Sequence, residues 1–274
     1  MHTFNGKLDC AVLIPSCDKY ADLWHPFLTL FWRHWPDCPF PVWLGSNEAA
    51  FDDPRVRTVR VGEDRSWSED MRLMLEAIPA PYILILLEDF FLRRTVDTPK
   101  LLRLVTALDD QGGHMLRLYP NPGPDRHVAE YPEIGALDGE APYRVCLQAA
   151  IWRRESLNWL LVPGESAWQF ESGASLRSAA LGEGFYCVWN RAIEYGHHVV
   201  EHGCWFRSSA RQFGRMGIGC DFSRRPIMTR CESLKWNIRK TRSRALMMIP
   251  WKRRLQLVGW VRRLKGKPRK EHWV

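Results

Sequence analysis

Two adjacent carboxylates, Glu88 and Asp89, stand at the end of the apolar run Tyr82-Ile83-Leu84-Ile85-Leu86-Leu87 and open the tetrapeptide Glu88-Asp89-Phe90-Phe91. An uninterrupted apolar run of that length predicts a strand covered on both faces, as in a parallel α/β sheet. Ligands of such sheets bind beyond the carboxyl ends of the strands, so the pair is expected where chemistry would occur. Carboxylate oxygens are hard ligands, suited to a divalent cation that itself grips phosphate oxygens. The competing reading is that the pair caps a helix that follows, because acidic side chains suit helix N-termini. The eight cysteines are scattered without a C-x-x-C pair. They read as reduced thiols of a cytosolic protein, not as a zinc site or a disulfide frame.

The elements that would position these carboxylates alternate between strand and helix. Cys10 to Pro15 reads as a short buried strand ending in the turn Pro15-Ser16-Cys17-Asp18, and Tyr20 to Trp35 as a helix stopped by Pro36. Pro41 to Leu44 predicts a second strand, broken by Gly45-Ser46-Asn47, and Val56 to Val61 a more exposed third. Ser66 or Ser68 is placed to cap a helix to Ile78, with Met71, Leu75 and Ile78 on one face. After strand 82–87, Asp97 or Thr98 is placed to cap a helix to Asp109, and Met115 to Tyr119 is the next strand. Pro120 to Pro142 is rich in Pro and Gly and reads as a long loop, usually functional or mobile. Tyr143 to Trp152 predicts a strand, Arg154 to Leu161 and Ser166 to Leu181 helices, and Tyr186 to Ile193 a last core strand. The alternation predicts a mostly parallel sheet with helices on both faces.

A chain of 274 residues can bury a large core, and 46% hydrophobic with 26% charged residues is ordinary for a soluble globular protein. The 14 tryptophans are not ordinary; they suit stacking on sugars or bases and equally suit membrane interfaces. Asp9 and the missing basic-then-apolar order argue against a signal peptide, and no apolar stretch is long enough to span a bilayer. The net charge of +8 hides a division. From Arg224 onward 17 Lys and Arg face only Glu232 and Glu271, while the preceding residues are net acidic. An anionic partner is therefore expected for the tail alone.

The order of elements resembles that of GT-A glycosyltransferases, specifically small bacterial enzymes of surface-polysaccharide assembly. Four pieces, spanning roughly residues 10–205, carry the resemblance. Val12 to Tyr20 resembles the nucleotide-binding opening, and Trp43-Leu44-Gly45-Ser46-Asn47 the second strand with its nucleotide-facing loop. Ile83 to Phe91 resembles the strand that delivers the acidic metal motif. Gly164 to Glu171 resembles the acceptor-side helix that places a catalytic carboxylate. The family's metal motif is Asp-x-Asp; here Glu88-Asp89-Phe90-Phe91 lacks the second acid. Either Asp89 holds a cation with water, diphosphate and a downstream histidine, or cationic side chains meet the diphosphate without a metal.

The resemblance implies an α/β, GT-A-like (Rossmann-like) fold: a mostly parallel central sheet flanked by helices, followed by a basic amphipathic helical tail. The domain is expected over 1–223 and the tail over 224–274. It implies a metal-assisted transfer from a nucleotide sugar, a UDP-sugar foremost, to a glycan or lipid-linked acceptor. Asp89, helped by Glu88, would fix an Mn or Mg ion opposite the leaving diphosphate, and His202 is the candidate to complete the shell. Glu171 is the candidate base, its pKa raised by an apolar wall of Trp168 and Phe170, with Glu165 the rival. Ser16, Asp18, Tyr20, Ser46 and Asn47 would grip base and ribose, Tyr20 by stacking. Trp67 and Arg72 precede the key strand on a helix, and Arg72 would reach a phosphate. Arg117 and Trp168 would face the acceptor. Trp24, Phe27, Phe31 and Trp32 read instead as helix core.

In the tail, Trp251, Leu255, Val258 and Val261 recur near the 3.6-residue period, with Arg253, Arg254, Arg262 and Arg263 mostly elsewhere. That pattern predicts an interfacial helix on anionic lipid, hence a cytoplasmic protein peripheral on the inner face of the cell membrane. Two other function classes fit parts of the chain. A basic tail with aromatics suits a nucleic-acid-binding protein, but the body is acidic and carries no RNP1, GXXG or helix-turn-helix pattern. A nucleotidyltransferase shares the α/β layout, but Pro15-Ser16-Cys17-Asp18 is not its Gly-rich, basic opening loop.

Overall fold

In a computed structural model the described residues are 9–196, 199–247, 249, 251–254, 256 and 257. The first half builds four parallel strands, β1 (Cys10–Ile14), β2 (Val42–Ser46), β3 (Val56–Arg60) and β4 (Tyr82–Ile85), in the order β3-β2-β1-β4. Helices α1 (Ala21–His34) and α2 (Trp67–Ala77) connect them, and α3 (Thr98–Asp110) leads to β5 (Met115–Arg117). The apolar run of β1 is continuous because both faces are covered. Cys10, Val12 and Ile14 join a core with Leu23, Phe27 and Phe31 of α1, while Ala11 and Leu13 join a second core with Met71, Met74 and Leu75 of α2.

The second half continues the sheet through β6 (Arg126–His127), β7 (Ile134–Ala136), β8 (Ala150–Arg153) and β9 (Phe185–Val188), with α4 (Arg154–Leu160) and α5 (Ala167–Arg177) between the last two. The full order is β3-β2-β1-β4-β8-β5-β9-β7-β6. Strand β8 enters antiparallel between β4 and β5, and β7 is antiparallel to β9 and β6; the other seven strands share one direction. The mostly parallel, helix-flanked α/β sheet expected from sequence is the fold. Hairpin β10 (Val200–Glu201) and β11 (Cys204–Trp205) lies outside this sheet and leads to α6 (Arg207–Arg215) and α7 (Arg230–Met247).

Several boundaries differ from the sequence reading. Strand β4 ends at Ile85, and the 120–142 segment contributes β6 and β7. Residues 143–149 are irregular: the buried Arg117 guanidinium donates to the carbonyls of Pro122, Tyr143 and Arg144, which removes them from any ladder. The chain stays on the body beyond Arg224. Pro226 and Met228 hydrogen-bond the Trp205 backbone, and Arg225 grips Asp22 at 2.7 and 2.8 Å. In the tail, Trp251 donates to Asp125 at 3.0 Å and Lys252 pairs with Asp138 at 3.0 Å, so this turn rests on the 120–142 segment. Leu255 and 258–264 of the expected amphipathic helix, and His197-His198, lie outside the described residues. Among the described residues no helix is long and apolar enough to cross a membrane.

Candidate active site

The carboxyl ends of β1 and β4 open on one cavity of about 570 Å³. Pro15, Ser16 and Cys17 follow β1 into its wall; Leu87, Glu88 and Asp89 follow β4. Helix α2 supplies Trp67, Asp70, Met71 and Met74, spaced i, i+3, i+4 and i+7 on one face. Helix α5 supplies Ala167, Trp168 and Glu171, and the β10–β11 turn supplies Glu201 and His202. The two helices are fixed at their starts by local chemistry. Ser66 and Ser166 each form a capping box, and Ser66 also accepts the Gly164 N–H at 3.0 Å, tying α2 to the approach of α5. Gly45 in β2 lets α2 come close, since a Cβ there would overlap the Met74 thioether.

Glu88 is only 8% exposed, and burial first, then the charge of Asp89, pushes its pKa up to about 8, partly opposed by Arg225. The pair caps no helix: α3 begins at Thr98 and is capped by Asp97. Phe90 stacks on Tyr195 with ring centroids 4.6 Å apart, and Phe91 packs against Trp205 and Phe213. Phe90 and Phe91 therefore anchor the turn that presents Glu88 and Asp89.

Glu171 lies across the same cavity and accepts the Leu147 N–H at 2.6 Å. The apolar wall expected beside it has other owners. Trp168 is 69% exposed at the rim and Phe170 is buried against Trp67 at 4.9 Å, so Trp67, Met71, Met74 and Leu147 supply the apolar lining. Tyr20 lines the cavity, but the Arg225 guanidinium lies 4.3 Å from its ring centroid and covers one face; Trp24 donates to Ser16 at 2.8 Å. His202 sits at φ 48 in the hairpin turn, its side chain 81% exposed and 3.6 Å from Glu201.

Other expected site residues stand away from the cavity wall. The Asp18 carboxylate accepts the N–H groups of Asn47, Glu48 and Ala49, Asn47 accepts the Asp18 N–H, and Ser46 donates to the Ala49 carbonyl. These three brace the loops after β1 and β2 against each other. Arg72 donates to the Leu161 carbonyl at 2.9 Å, and Arg117 holds the loop that carries Tyr143 into the wall. Sequence reasoning missed Asp64, Asp70, Tyr143, Glu201 and the reach of Arg225. Only Asp70 left a signal, as the polar member of the α2 stripe.

The wall is acidic. Asp64, Asp70, Glu88, Asp89, Glu171 and Glu201 line it, and no Lys or Arg does among the described residues. A cation suits this donor set: Glu88 and Asp89 offer hard oxygens, and a dication there would relieve the repulsion that raises Glu88. Among the described residues no three His, Cys, Asp or Glu converge as a closed metal cage, so an ion held here would keep water and ligand oxygens in its shell.

No family model and no curated protein matches the chain. Solved structures resemble it at low identity. A 1–349 fragment of S. aureus TarS gives a TM-score of 0.47 at 11% identity, over 68% of this chain and 59% of that one. Mannosyltransferase PcManGT from Pyrobaculum calidifontis, in complex with GDP-Man and Mn2+, gives 0.49 at 15%, over 73% and 59%. CMP:2-keto-3-deoxy-manno-octonic acid synthetase complexed with CTP gives 0.42 at 13%, over 76% and 98%. The chain spans about three fifths of the first two.

Proposed function

We propose that this chain is a nucleotide-sugar-dependent glycosyltransferase, a hexosyltransferase of the GT-A type. It moves a sugar, from a UDP-sugar foremost, to a hydroxyl of a glycan or lipid-linked acceptor in cell-surface polysaccharide synthesis. One observation carries the reading: Glu88-Asp89 from the end of β4 and Glu171 from α5 line the same cavity at the carboxyl edge of the sheet. That supports a reading with a leaving-group site and a base around one space. Glu88 and Asp89 would hold a divalent cation, and the chemistry it would supply is neutralisation of charge on the departing diphosphate. Glu171 takes the proton of the acceptor hydroxyl as that oxygen bonds to the anomeric carbon. The bond from the anomeric carbon to the diphosphate oxygen breaks in the same step, and its electron pair leaves with the nucleotide. Trp67, Met71, Met74 and Leu147 exclude water from this face, and Trp168 at the rim offers an aromatic surface to the acceptor.

The basic segment from Arg224 supports a cytoplasmic location, peripheral on the inner face of the cell membrane, where lipid-linked acceptors lie. An acidic cavity wall and an acidic body speak against nucleic acid as the ligand. The test is a thermal-shift panel of nucleotide sugars with and without Mn²⁺, followed by turnover of any stabilising donor. Asp89→Asn should lower donor hydrolysis and transfer by roughly 10²-fold or more. Undiminished turnover would remove Asp89 from the mechanism.

A further inference from the structure

Asp70 has no part in the chemistry assigned above, yet it lines the cavity from the α2 stripe. It is 7% exposed, and its Oδ1 is shut off from solvent without a hydrogen-bond partner among the described residues. The nearby charged groups are engaged otherwise: Arg65, whose charge reaches Asp70, on the Val61 carbonyl at 3.2 Å, Glu69 in the Ser66 capping box, Arg72 on the Leu161 carbonyl, and Asp64 with Lys19 at 2.6 Å. Burial raises the Asp70 carboxyl, partly offset by the backbone N–H of Arg65, and the charge of Asp64 raises it further. A buried acceptor with no donor carries its full desolvation cost, and folded proteins seldom keep one without a use.

The cavity limits what that use is. Phosphate is repelled by a carboxylate, and Asp64 beside Asp70 strengthens the repulsion, so the diphosphate belongs with Glu88 and Asp89, where a cation would offset the charge. Trp67, Met71 and Met74 surround Asp70 with apolar surface, where a hydrogen bond to a neutral donor is stronger than in water. We propose that Asp70 is a specificity residue of the donor site, its carboxylate accepting a hydrogen bond from an N–H or O–H of the bound nucleotide sugar. This rests on the nucleotide-sugar reading. The donor group belongs either to the nucleoside or to the transferred sugar, and the two are separable by experiment.

Asp70→Asn keeps the shape and Asp70→Leu the branching of the side chain, and both remove the charge. With Mn²⁺ present, calorimetric titration of UDP, UDP-GlcNAc, GDP and GDP-mannose into the wild type and both variants measures the effect. The preferred nucleotide sugar should bind the variants about ten- to a hundredfold more weakly, while the melting temperature of the unliganded variants stays level or rises. A purely structural aspartate would lower that temperature and leave affinity alone. Equal losses for the nucleoside diphosphate and its nucleotide sugar place the donor on the nucleoside; a loss for the nucleotide sugar only places it on the sugar. Undiminished binding by Asp70→Asn, the variant with the smaller change, overturns the assignment while the nucleotide-sugar reading stands. A wild type that binds none of the four compounds overturns both.

Discussion

Replacing Glu88 by Gln should make the protein more stable, and increasingly so as pH rises. The side chain is buried, and its pKa is pushed from 4.5 up to about 8 by desolvation and by Asp89. Between those values the folded state holds a proton that the unfolded chain has released, so stability falls as pH increases. At about 1.4 kcal/mol per unit, the loss between pH 4 and pH 9 is on the order of 5 kcal/mol. Gln keeps the shape and cannot ionise, which removes the slope. For a chain of this size about 1 kcal/mol moves the melting temperature by roughly 2 °C. Differential scanning fluorimetry in EDTA should therefore show Glu88→Gln level with wild type near pH 4.5 and about 10 °C above it at pH 9. Adding Mn²⁺ or Mg²⁺ should narrow the gap by raising the wild type, because a cation offsets the paired charges. A wild-type-minus-variant difference that is flat from pH 5 to pH 9 would refute both the burial argument and the electrostatic case for a cation.

Glu171→Gln should bind donor as the wild type does and lose transfer by about 10²- to 10⁴-fold, measured by titration beside product release; parallel loss of both would mark Glu171 as structural. Arg225→Gln strands the Asp22 carboxylate, 3% exposed, and uncovers one face of Tyr20. Breaking a buried pair of this kind costs about 3–5 kcal/mol, a melting drop of roughly 6–10 °C, and an unchanged melting temperature would show the clamp to be dispensable. Removing residues 248–274 deletes nine Lys and Arg, each worth about 1 kcal/mol near an anionic surface. The truncated protein should no longer sediment with phosphatidylglycerol vesicles; persistent binding would place the membrane contact elsewhere.

What was legible in the sequence was what depends on neighbouring residues. The capping boxes at Ser66 and Ser166, the stop at Pro36 and the buried run after Tyr82 each announce an element through local chemistry. Strands β6 and β7 do not, because pairing of β7 with β9, and of β6 with β7, recruits two or three residues that have no period of their own. Residues 143–149 mislead for the opposite reason. Their composition suits a strand, but a guanidinium from β5 takes the carbonyls of Tyr143 and Arg144. At the site, Glu88, Asp89 and Glu171 were readable as carboxylates at the ends of elements. Asp18 was readable as polar but not as a brace, since its three donors lie about thirty residues away.

The acidity of the cavity bears most directly on mechanism. A nucleotide sugar brings a diphosphate, and at least some of the six carboxylates around the cavity must tolerate it. Cationic side chains are one way to do so, and the sequence left that route open. No Lys or Arg among the described residues lines the wall; Arg225, which acts on Glu88, is bound to Asp22 and lies over Tyr20, and Arg254 acts on the wall from beside Tyr143. Holding a dianion among carboxylates in a partly apolar cavity would cost far more than a few hydrogen bonds return. Glu88 and Asp89 would hold a divalent ion that reverses that sign locally, and its charge would relieve the repulsion that adds to burial in raising Glu88. The rest of the wall then selects rather than repels. Asp70, with an oxygen that has no partner among the described residues, and Asp64 beside it would favour uncharged donors over phosphate. Cation-dependent donor binding, absent in EDTA and weakened by Asp89→Asn, is the behaviour this charge distribution requires; donor binding at full strength in EDTA is incompatible with it.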